Sequence, residues 1–222
     1  MSFIAFLGCD GSGKSAVIEG ITRHFKAMDQ TVSRGHWRPK AFSREMPTLT
    51  VPVDDPHGKS PRGVASSVLK LGWLWLNWRL AWLGTMGRNA RNDMVIFDRY
   101  HADLLVDPRR YRYGGPMWLA RLATRLMPQP DRVYFLDATP EVLLSRKQEV
   151  GIEALAASRA AYLALAQTNP RITVIDASQS LERVIADVVA MLPSDNQDLQ
   201  QGARTAEGRS IVGETTKSKM KF

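Results

Sequence analysis

Eight residues near the start of the chain have types and a spacing that suit phosphate binding. They read Gly8-Cys9-Asp10-Gly11-Ser12-Gly13-Lys14-Ser15, a G-x-x-x-x-G-K-S pattern. The glycines let backbone N–H groups close around an anion, and the lysine can reach the β- and γ-phosphates of a nucleotide. The serine hydroxyl is a ligand for Mg²⁺. The segment from Gly8 to Ala16 therefore predicts a binding site for ATP with Mg²⁺.

The residues on either side fit the context that such a loop requires. Before it lies the apolar run Phe3-Ile4-Ala5-Phe6-Leu7, which predicts a buried strand, and after it the apolar spacing over 14–28 predicts a helix. A helix that begins at the loop adds free N–H groups and a partial positive charge, both of which favour an anion.

Short apolar stretches alternate with helical periodicity along the rest of the chain. Strands are predicted at 2–7, 31–36, 93–97, 132–136 and 171–175. Helices are predicted at 14–28, about 62–90, 115–127, 139–167 with a break near Gly151, and 179–191. Strands separated by helices imply βαβ units. We expect an α/β, three-layer P-loop NTPase fold with a five-stranded parallel sheet flanked by helices.

The 222 residues suit one domain followed by a tail. We expect one P-loop domain over 1–192 and a disordered polar tail over 193–222, with a surface loop near 40–61. The single cysteine, Cys9, fits a reducing compartment. No apolar run reaches the roughly 18 residues of a spanning helix, and we expect a cytoplasmic protein without a signal peptide.

The net charge of +8 raises the question of a nucleic-acid partner. The basic residues are spread along the chain, and no basic stripe alternates with aromatic residues as polynucleotide binding would favour. A small polyanionic substrate explains much of the excess, so we predict no nucleic-acid partner.

Asp98 ends an apolar strand and is followed by Arg99. An acidic residue at the carboxyl edge of a parallel sheet, beside a phosphate-binding loop, is placed to hold Mg²⁺ together with Ser15. The arginine can clamp a phosphate through two parallel hydrogen bonds. A strand-end salt bridge is the alternative interpretation of this pair.

Four segments together resemble the thymidylate kinase family. The phosphate loop with Asp10 before Gly-Ser-Gly-Lys is similar to that family's loop, and Val95-Ile96-Phe97-Asp98-Arg99-Tyr100 is similar to its second signature. Residues 143–147 resemble its short lid, which we place at about 145–153, and residues 174–178 resemble its final strand and adenine-side turn. The resemblance implies transfer of a phosphoryl group from ATP to dTMP.

The resemblance also implies roles for individual residues. Lys14, Asp98, Arg99 and the lid residue Arg146 would act on the transferring phosphoryl group. The residues that would bind the acceptor are Asp10 on a sugar hydroxyl, Arg38 and Arg99 on the phosphate, Arg79 on the base, and Tyr100. A solvated helix face is the other interpretation of Arg146.

The sequence departs from the family on the acceptor side. Arg38-Pro39-Lys40 replaces the usual Arg-Glu-Pro-Gly-Gly, and residues 101–113 form a basic and aromatic segment where base-reading residues are usual. Similar segments belong to a divergent branch associated with bacterial surface-polysaccharide genes. Two alternatives therefore stay open: a kinase of a sugar or glycan-linked acceptor, and a nucleotide-binding module with little turnover.

Four tryptophans lie within one predicted helix, at positions 73, 75, 78 and 82. A helix that is apolar nearly all round is buried on several sides. We expect core packing combined with a homodimer contact, in preference to docking at a membrane interface, because the polar face of this helix is thin.

Overall fold

The computed structural model describes residues 3–37, 60–148 and 150–192. Three sequence predictions lie wholly or mostly outside these ranges: the disordered tail over 193–222, the surface loop over 40–61, and the acceptor role of Arg38.

The five strands form one parallel sheet in the order β2-β3-β1-β4-β5. Their bounds are β1 Phe3–Leu7, β2 Val32–His36, β3 Met94–Asp98, β4 Arg132–Asp137 and β5 Ile172–Asp176. β1 lies at the centre between β3 and β4, and its five residues are all buried. The predicted five-stranded parallel sheet is confirmed. Because β1 is central, the loop that follows it opens at the middle of the sheet's carboxyl edge, where ligands bind in such folds.

Eight helices of the described residues surround this sheet. They are α1 Lys14–Ala27, α2 Val64–Leu83, α3 Thr85–Asn92, α4 Asp103–Val106, α5 Met117–Leu126, α6 Pro140–Arg146, α7 Ile152–Thr168 and α8 Leu181–Ala190. The predicted break near Gly151 separates α6 from α7. The short helix α4 has no counterpart among the predicted elements.

The single helix predicted over 62–90 was wrong, because the chain turns at Gly84 between α2 and α3. Gly84 leaves the helical conformation with φ −95° and ψ −123°. At Gly87, a Cβ would lie 2.0 Å from the carbonyl oxygen of Trp82, so the turn needs a residue without a side chain there. Gly84 thus lies between the two helices, and Gly87 lets the first turn of α3 pass close to the end of α2.

The Trp-rich helix α2 packs one face into the core. Trp78 is 0% exposed, and its indole lies 5.1 Å from the ring of Phe97 in β3 and 6.2 Å from that of Phe3 in β1, measured between centroids. The prediction that this helix contributes to the core is confirmed for Trp78. None of the described helices combines the length and apolarity needed to cross a bilayer.

Candidate active site

The phosphate-binding loop has the backbone conformation that its glycines predict. Gly11 and Gly13 adopt φ +85° and +82°, in the left-handed region that side chains rarely enter. A Cβ on Gly11 would lie 2.7 Å from the carbonyl oxygen of Leu143, so α6 packs directly on this loop. Gly13 is the N-cap of α1, which places the first turn of that helix at the loop.

Lys14 is the first residue of α1, and its side chain folds back over the loop. Its Nζ donates to the carbonyl oxygens of Gly8 and Cys9, each at 2.9 Å. The side chain is buried, and burial, together with the charge of Arg99, lowers the pKa of Lys14 to about 8. A buried ammonium is costly to hold without an anion close by, and a bound phosphate would supply that negative charge.

Asp98 and Ser15 have the chemistry that a magnesium ion requires. The Oδ1 atom of Asp98 is buried, and no donor among the described residues hydrogen-bonds to it. β3 pairs with β1 so that Asp98 lies level with Phe6, two residues before the loop. Ser15 is exposed in the first turn of α1. A carboxylate oxygen without a donor and a serine hydroxyl fit Mg²⁺ as ligands.

The described residues contain no group of three or more His, Cys, Asp and Glu side chains able to hold a metal ion by themselves. A metal ion at Asp98 would therefore take most of its ligands from a bound nucleotide and water, as Mg²⁺ commonly does.

Arg99 follows β3 and sits beside the loop. Its backbone adopts φ +62°, and its side chain is 6% exposed. Nη2 donates to Asp10 Oδ1 at 2.7 Å, and Nη1 donates to Asp103 Oδ2 at 2.9 Å. A left-handed conformation at a residue with a side chain costs about 1–3 kcal/mol, and the two ion pairs offset this cost by holding the residue in place. The guanidinium is thus held against the phosphate-binding loop.

Asp103 is the centre of this network, and sequence reasoning missed it. The residue is 0% exposed and accepts hydrogen bonds from Arg99 and from the hydroxyls of Tyr111 and Tyr162. Burial raises the pKa of Asp103, but the charge of Arg99 and the two tyrosine hydroxyls lower it by more, so the net shift is downward. Its position four residues after Arg99 was the one signal in the sequence, since i,i+4 pairs meet on a helical turn.

Asp10 also forms an ion pair with a second arginine, Arg110, which the sequence prediction did not include. Nη1 of Arg110 donates to Asp10 Oδ2 at 2.8 Å, while Arg99 occupies Oδ1. Burial raises the pKa of Asp10, but the two guanidinium groups outweigh it and hold that pKa well below its usual range. The sugar-hydroxyl role implied for Asp10 must therefore share a carboxylate that already accepts from two arginines.

The other end of the loop faces two further arginines. Arg146 ends α6, and its Nη1 donates to the carbonyl oxygen of Ala177, just after β5, at 2.9 Å. Arg159 on α7 forms a two-point ion pair with Asp137 at the end of β4, with N–O distances of 2.7 and 2.9 Å. The structure thus places Arg146 at the carboxyl edge of the sheet, at the end of the helix that packs on the loop.

Two predicted acceptor residues lie apart from this network. Tyr100 is 1% exposed and packs in the core against the ring of His101, with 4.5 Å between ring centroids. Its acceptor role stays a prediction, since the ring is enclosed by core residues in this structure. Arg79 is exposed on α2, with its guanidinium 5.9 Å from the ring of Trp75.

An apolar cavity with an aromatic wall lies next to Asp103. Its empty volume is about 270 Å³, counting the open mouth. The lining residues are Trp37, Ser67, Lys70, Leu71, Leu74, Leu104, Tyr111, Arg112 and Tyr113. The rings of Trp37 and Tyr111 stack with centroids 4.3 Å apart and planes 14° apart. Because Tyr111 also donates to Asp103, one carboxylate links the cavity wall to Arg99.

Comparisons with known proteins agree with this geometry. The family model for thymidylate kinase matches residues 78–188, a range that contains Asp98, Arg99 and Asp103. The chain is 30% identical to the thymidylate kinase of Bifidobacterium longum (strain DJO10A) over 209 residues, which cover 84% of this chain and 94% of that protein. It is 28% identical to the thymidylate kinase of Ligilactobacillus salivarius over 218 residues, which cover 86% of this chain and 96% of that protein.

The fold also has a counterpart among solved structures. The crystal structure of thymidylate kinase from Ehrlichia chaffeensis superposes with a TM-score of 0.58 and 18% sequence identity. The superposition covers 86% of this chain and 98% of the other. At this identity the likeness concerns the fold.

Proposed function

The chain belongs to the thymidylate kinase family, and we propose that it transfers the terminal phosphoryl group of ATP to dTMP, giving dTDP and ADP. One observation carries the proposal. A buried guanidinium, that of Arg99, lies 2.7 Å from the loop's own Asp10, so a cation is held directly beside the phosphate-binding loop. Phosphoryl transfer between two nucleotides needs such a cation on the acceptor side as well as a phosphate-binding loop on the donor side.

The proposed reaction depends mainly on positioning and on neutralising negative charge. The loop amides and Lys14 would hold the β- and γ-phosphates, and Arg99 would hold the acceptor phosphate in line with them. Asp98 and Ser15 would hold Mg²⁺, which when bound offsets charge on the phosphate oxygens. Arg146, at the end of α6, would turn from the Ala177 carbonyl toward the transferring group. Residues 145–153 would then form the lid that excludes water.

The aromatic cavity supports a nucleotide as the acceptor. Trp37 and Tyr111 offer flat apolar surfaces, and a nucleobase can stack on such a surface. Asp103 accepts hydrogen bonds from both Tyr111 and Arg99, so one carboxylate positions the aromatic wall and the guanidinium. An aromatic surface fits a nucleobase and a guanidinium fits a phosphate, which together support a nucleoside monophosphate as the acceptor.

An acceptor screen tests the proposal. The purified protein would be incubated with ATP and Mg²⁺, and ADP release would be followed with dTMP, dUMP, other nucleoside monophosphates and a set of saccharides. We expect ADP release at the highest kcat/KM with dTMP. Release only with a saccharide would contradict the proposal and favour the sugar kinase. Failure of every acceptor, with ATP still bound, would favour a nucleotide-binding module.

We also propose that the chain forms a homodimer through α2. The face of this helix opposite Trp78 carries a stripe of exposed apolar side chains at alternating spacings of four and three residues: Leu69, Trp73, Leu76, Leu80 and Leu83. This is the spacing of a seam between two packed helices. The stripe contains no charged side chain, so a second copy of the same stripe can pack against it without burying a charge.

Charges placed in this stripe should separate the two copies. We expect light scattering coupled to gel filtration to give the mass of a dimer for the wild type, twice the 24.8 kDa of the chain. Leu76→Glu combined with Leu80→Glu should give a monomer, because pairing would bury unpaired carboxylates. Leu181→Glu, at an exposed apolar position on α8, is the matched control and should stay dimeric. A monomeric wild type would refute the proposal.

A further inference from the structure

Arg110 lies on the segment between α4 and α5, which differs from the usual pattern of the family. The segment is anchored at several points within the described residues. The Arg110 N–H donates to Asp107 Oδ1 at 3.0 Å, Tyr111 donates to Asp103, and the Arg112 side chain donates to the carbonyl oxygen of Ser60 at 3.1 Å. A segment held in this way presents the Arg110 side chain in a fixed direction, toward the phosphate-binding loop.

Two guanidinium groups converge on one carboxylate at this point. Arg99 reaches Asp10 Oδ1 at 2.7 Å and Arg110 reaches Oδ2 at 2.8 Å, so the two forks are separated by little more than the width of a carboxylate. Burial and the repulsion from Arg99 lower the pKa of Arg110, while the hydrogen bond and charge of Asp10 and the charge of Tyr111 raise it by more. A phosphate monoester, with its three oxygens and up to two negative charges, is of the right size and charge to bridge two such forks.

Arg99 and Arg110 differ in how many of their N–H donors remain available to a ligand. Arg99 is 6% exposed and uses both terminal nitrogens on Asp10, Asp103 and Tyr162. The Arg110 side chain is 24% exposed, and its side-chain hydrogen bonds within the described residues run from Nη1 to Asp10. The Nε and Nη2 edge of Arg110 therefore offers open donors to a new anion, beside the positive charge that Arg99 would contribute.

The positions of the neighbouring charges also favour Arg110 as a residue that takes up a new anion. Asp103 is wholly buried behind Arg99, so its charge faces the interior, while Asp10 is partly exposed between the two arginines. Tyr111, the residue after Arg110, forms the wall of the aromatic cavity. The aromatic wall and Arg110 thus belong to the same anchored segment of the chain.

We propose that Arg110 binds the acceptor's phosphate monoester together with Arg99, so that the acceptor is recognised by two arginines bridged by Asp10. This inference rests on the proposed function, since it concerns the acceptor side of the same site. It adds a specificity-determining residue: acceptors that carry a phosphate monoester gain the contact, and unphosphorylated acceptors do not.

Kinetics with dTMP and ATP form the first arm of the test. In Arg110→Gln we expect KM for dTMP to rise about 10-fold or more, since a charge-assisted hydrogen bond is lost, with KM for ATP changed by less than about 2-fold. Arg110→Lys should recover part of the loss, because it keeps the charge and loses the fork. Arg109→Gln is the matched control: it removes the same charge from an exposed neighbouring position and should behave as the wild type. A KM for dTMP equal in R110Q and R109Q overturns the inference. So does a parallel change for both substrates, which is the result of a merely structural anchor.

A second arm keeps the inference testable if dTMP is not the acceptor. Inorganic phosphate would be titrated calorimetrically into wild type, R110Q and R109Q, each with a non-hydrolysable ATP analogue and Mg²⁺ in excess. We expect phosphate to bind wild type and R109Q and to bind R110Q about 10-fold more weakly or not at all. Equal binding to R110Q and R109Q, or no binding to the wild type, overturns the inference. A wild type that binds phosphate through Arg110 but does not turn over dTMP would contradict the proposed function alone.

Discussion

Replacing Lys14 with alanine is expected to lower kcat for phosphoryl transfer by about 100- to 1000-fold, the scale on which a removed charge-stabilising group acts. Its ammonium is the cation that the structure fixes inside the phosphate-binding loop, 2.9 Å from two loop carbonyls. Without it, the charge that develops on the transferring group would lose the ammonium that the loop holds on the donor side. The measurement is a coupled assay of ADP formation with saturating ATP, Mg²⁺ and dTMP.

The fold of K14A should survive, which makes the activity loss interpretable. Burial lowers the pKa of Lys14 to about 8, below its value of 10.5 in an unfolded chain. A depressed lysine pKa means that the folded state holds the charge at a cost below pH 8, and that this cost declines as the pH rises from 8 to 10.5. Removing the lysine removes this cost, so we expect the unfolding midpoint at pH 7 to shift by a few degrees at most.

The matched control for K14A is Lys26→Ala, an exposed lysine on the same helix. It should leave kcat and both KM values unchanged. If K14A keeps more than about a tenth of the wild-type kcat, the assignment of this loop as the donor site is wrong, since a group central to charge stabilisation is worth far more than one decade.

The donor half of the site could be predicted because its signal is local. The loop pattern, the strand before it and the helix after it all lie within residues 3–27. Each of these elements is indicated by residues that are neighbours in the sequence. The strands were predicted to within one residue at each end, since short β-branched and aromatic runs bounded by polar residues are typical of buried parallel strands. Asp98 was predicted for a similar reason, because it ends such a strand.

On the acceptor side the motifs pointed to Asp10 and Arg99, but their partners could not be predicted, because those contacts join residues far apart in sequence. Tyr162 reaches Asp103 across 59 residues, and Arg110 reaches Asp10 across 100. No local pattern marks a tyrosine on α7 as the partner of an aspartate on α4. Tyr100, which the motif assigned to the acceptor, is packed in the core and its acceptor role stays a prediction. Arg38 and Arg146 remain predictions for the acceptor and the lid.

Replacing Asp103 with asparagine is expected to destabilise the fold by about 3–5 kcal/mol, the range for breaking a buried ion pair on one side. The carboxylate is 0% exposed and accepts from three donors, so the substitution leaves Arg99 buried with Asp10 as its remaining ion-pair partner. The amide also presents a donor to two tyrosine hydroxyls that themselves donate. For a domain of this size the unfolding midpoint should fall by about 6–20 °C in calorimetry.

Activity should fall together with stability, since Asp103 positions both Arg99 and the cavity residue Tyr111. Asp187→Asn is the control, because its pair with Arg183 is an i,i+4 surface contact at 3.1 Å and is worth about 0.5 kcal/mol or less. Combining Asp103→Asn with Arg99→Gln should cost less than the sum of the two single changes, because the second change removes the charge that the first left without a partner.

The pH dependence of stability distinguishes the loss of the Asp103 charge from the loss of its side-chain packing. Arg99 and the tyrosine hydroxyls outweigh the effect of burial and lower the pKa of Asp103 in the folded chain, so its contribution is complete above the unfolded pKa near 3.9 and is lost as the pH falls through the folded pKa. The stability difference between wild type and D103N should therefore be constant from about pH 5 to 8 and shrink below about pH 4. A difference that stayed constant down to pH 3 would mean that packing of the side chain, and not its charge, holds Arg99 against the phosphate-binding loop.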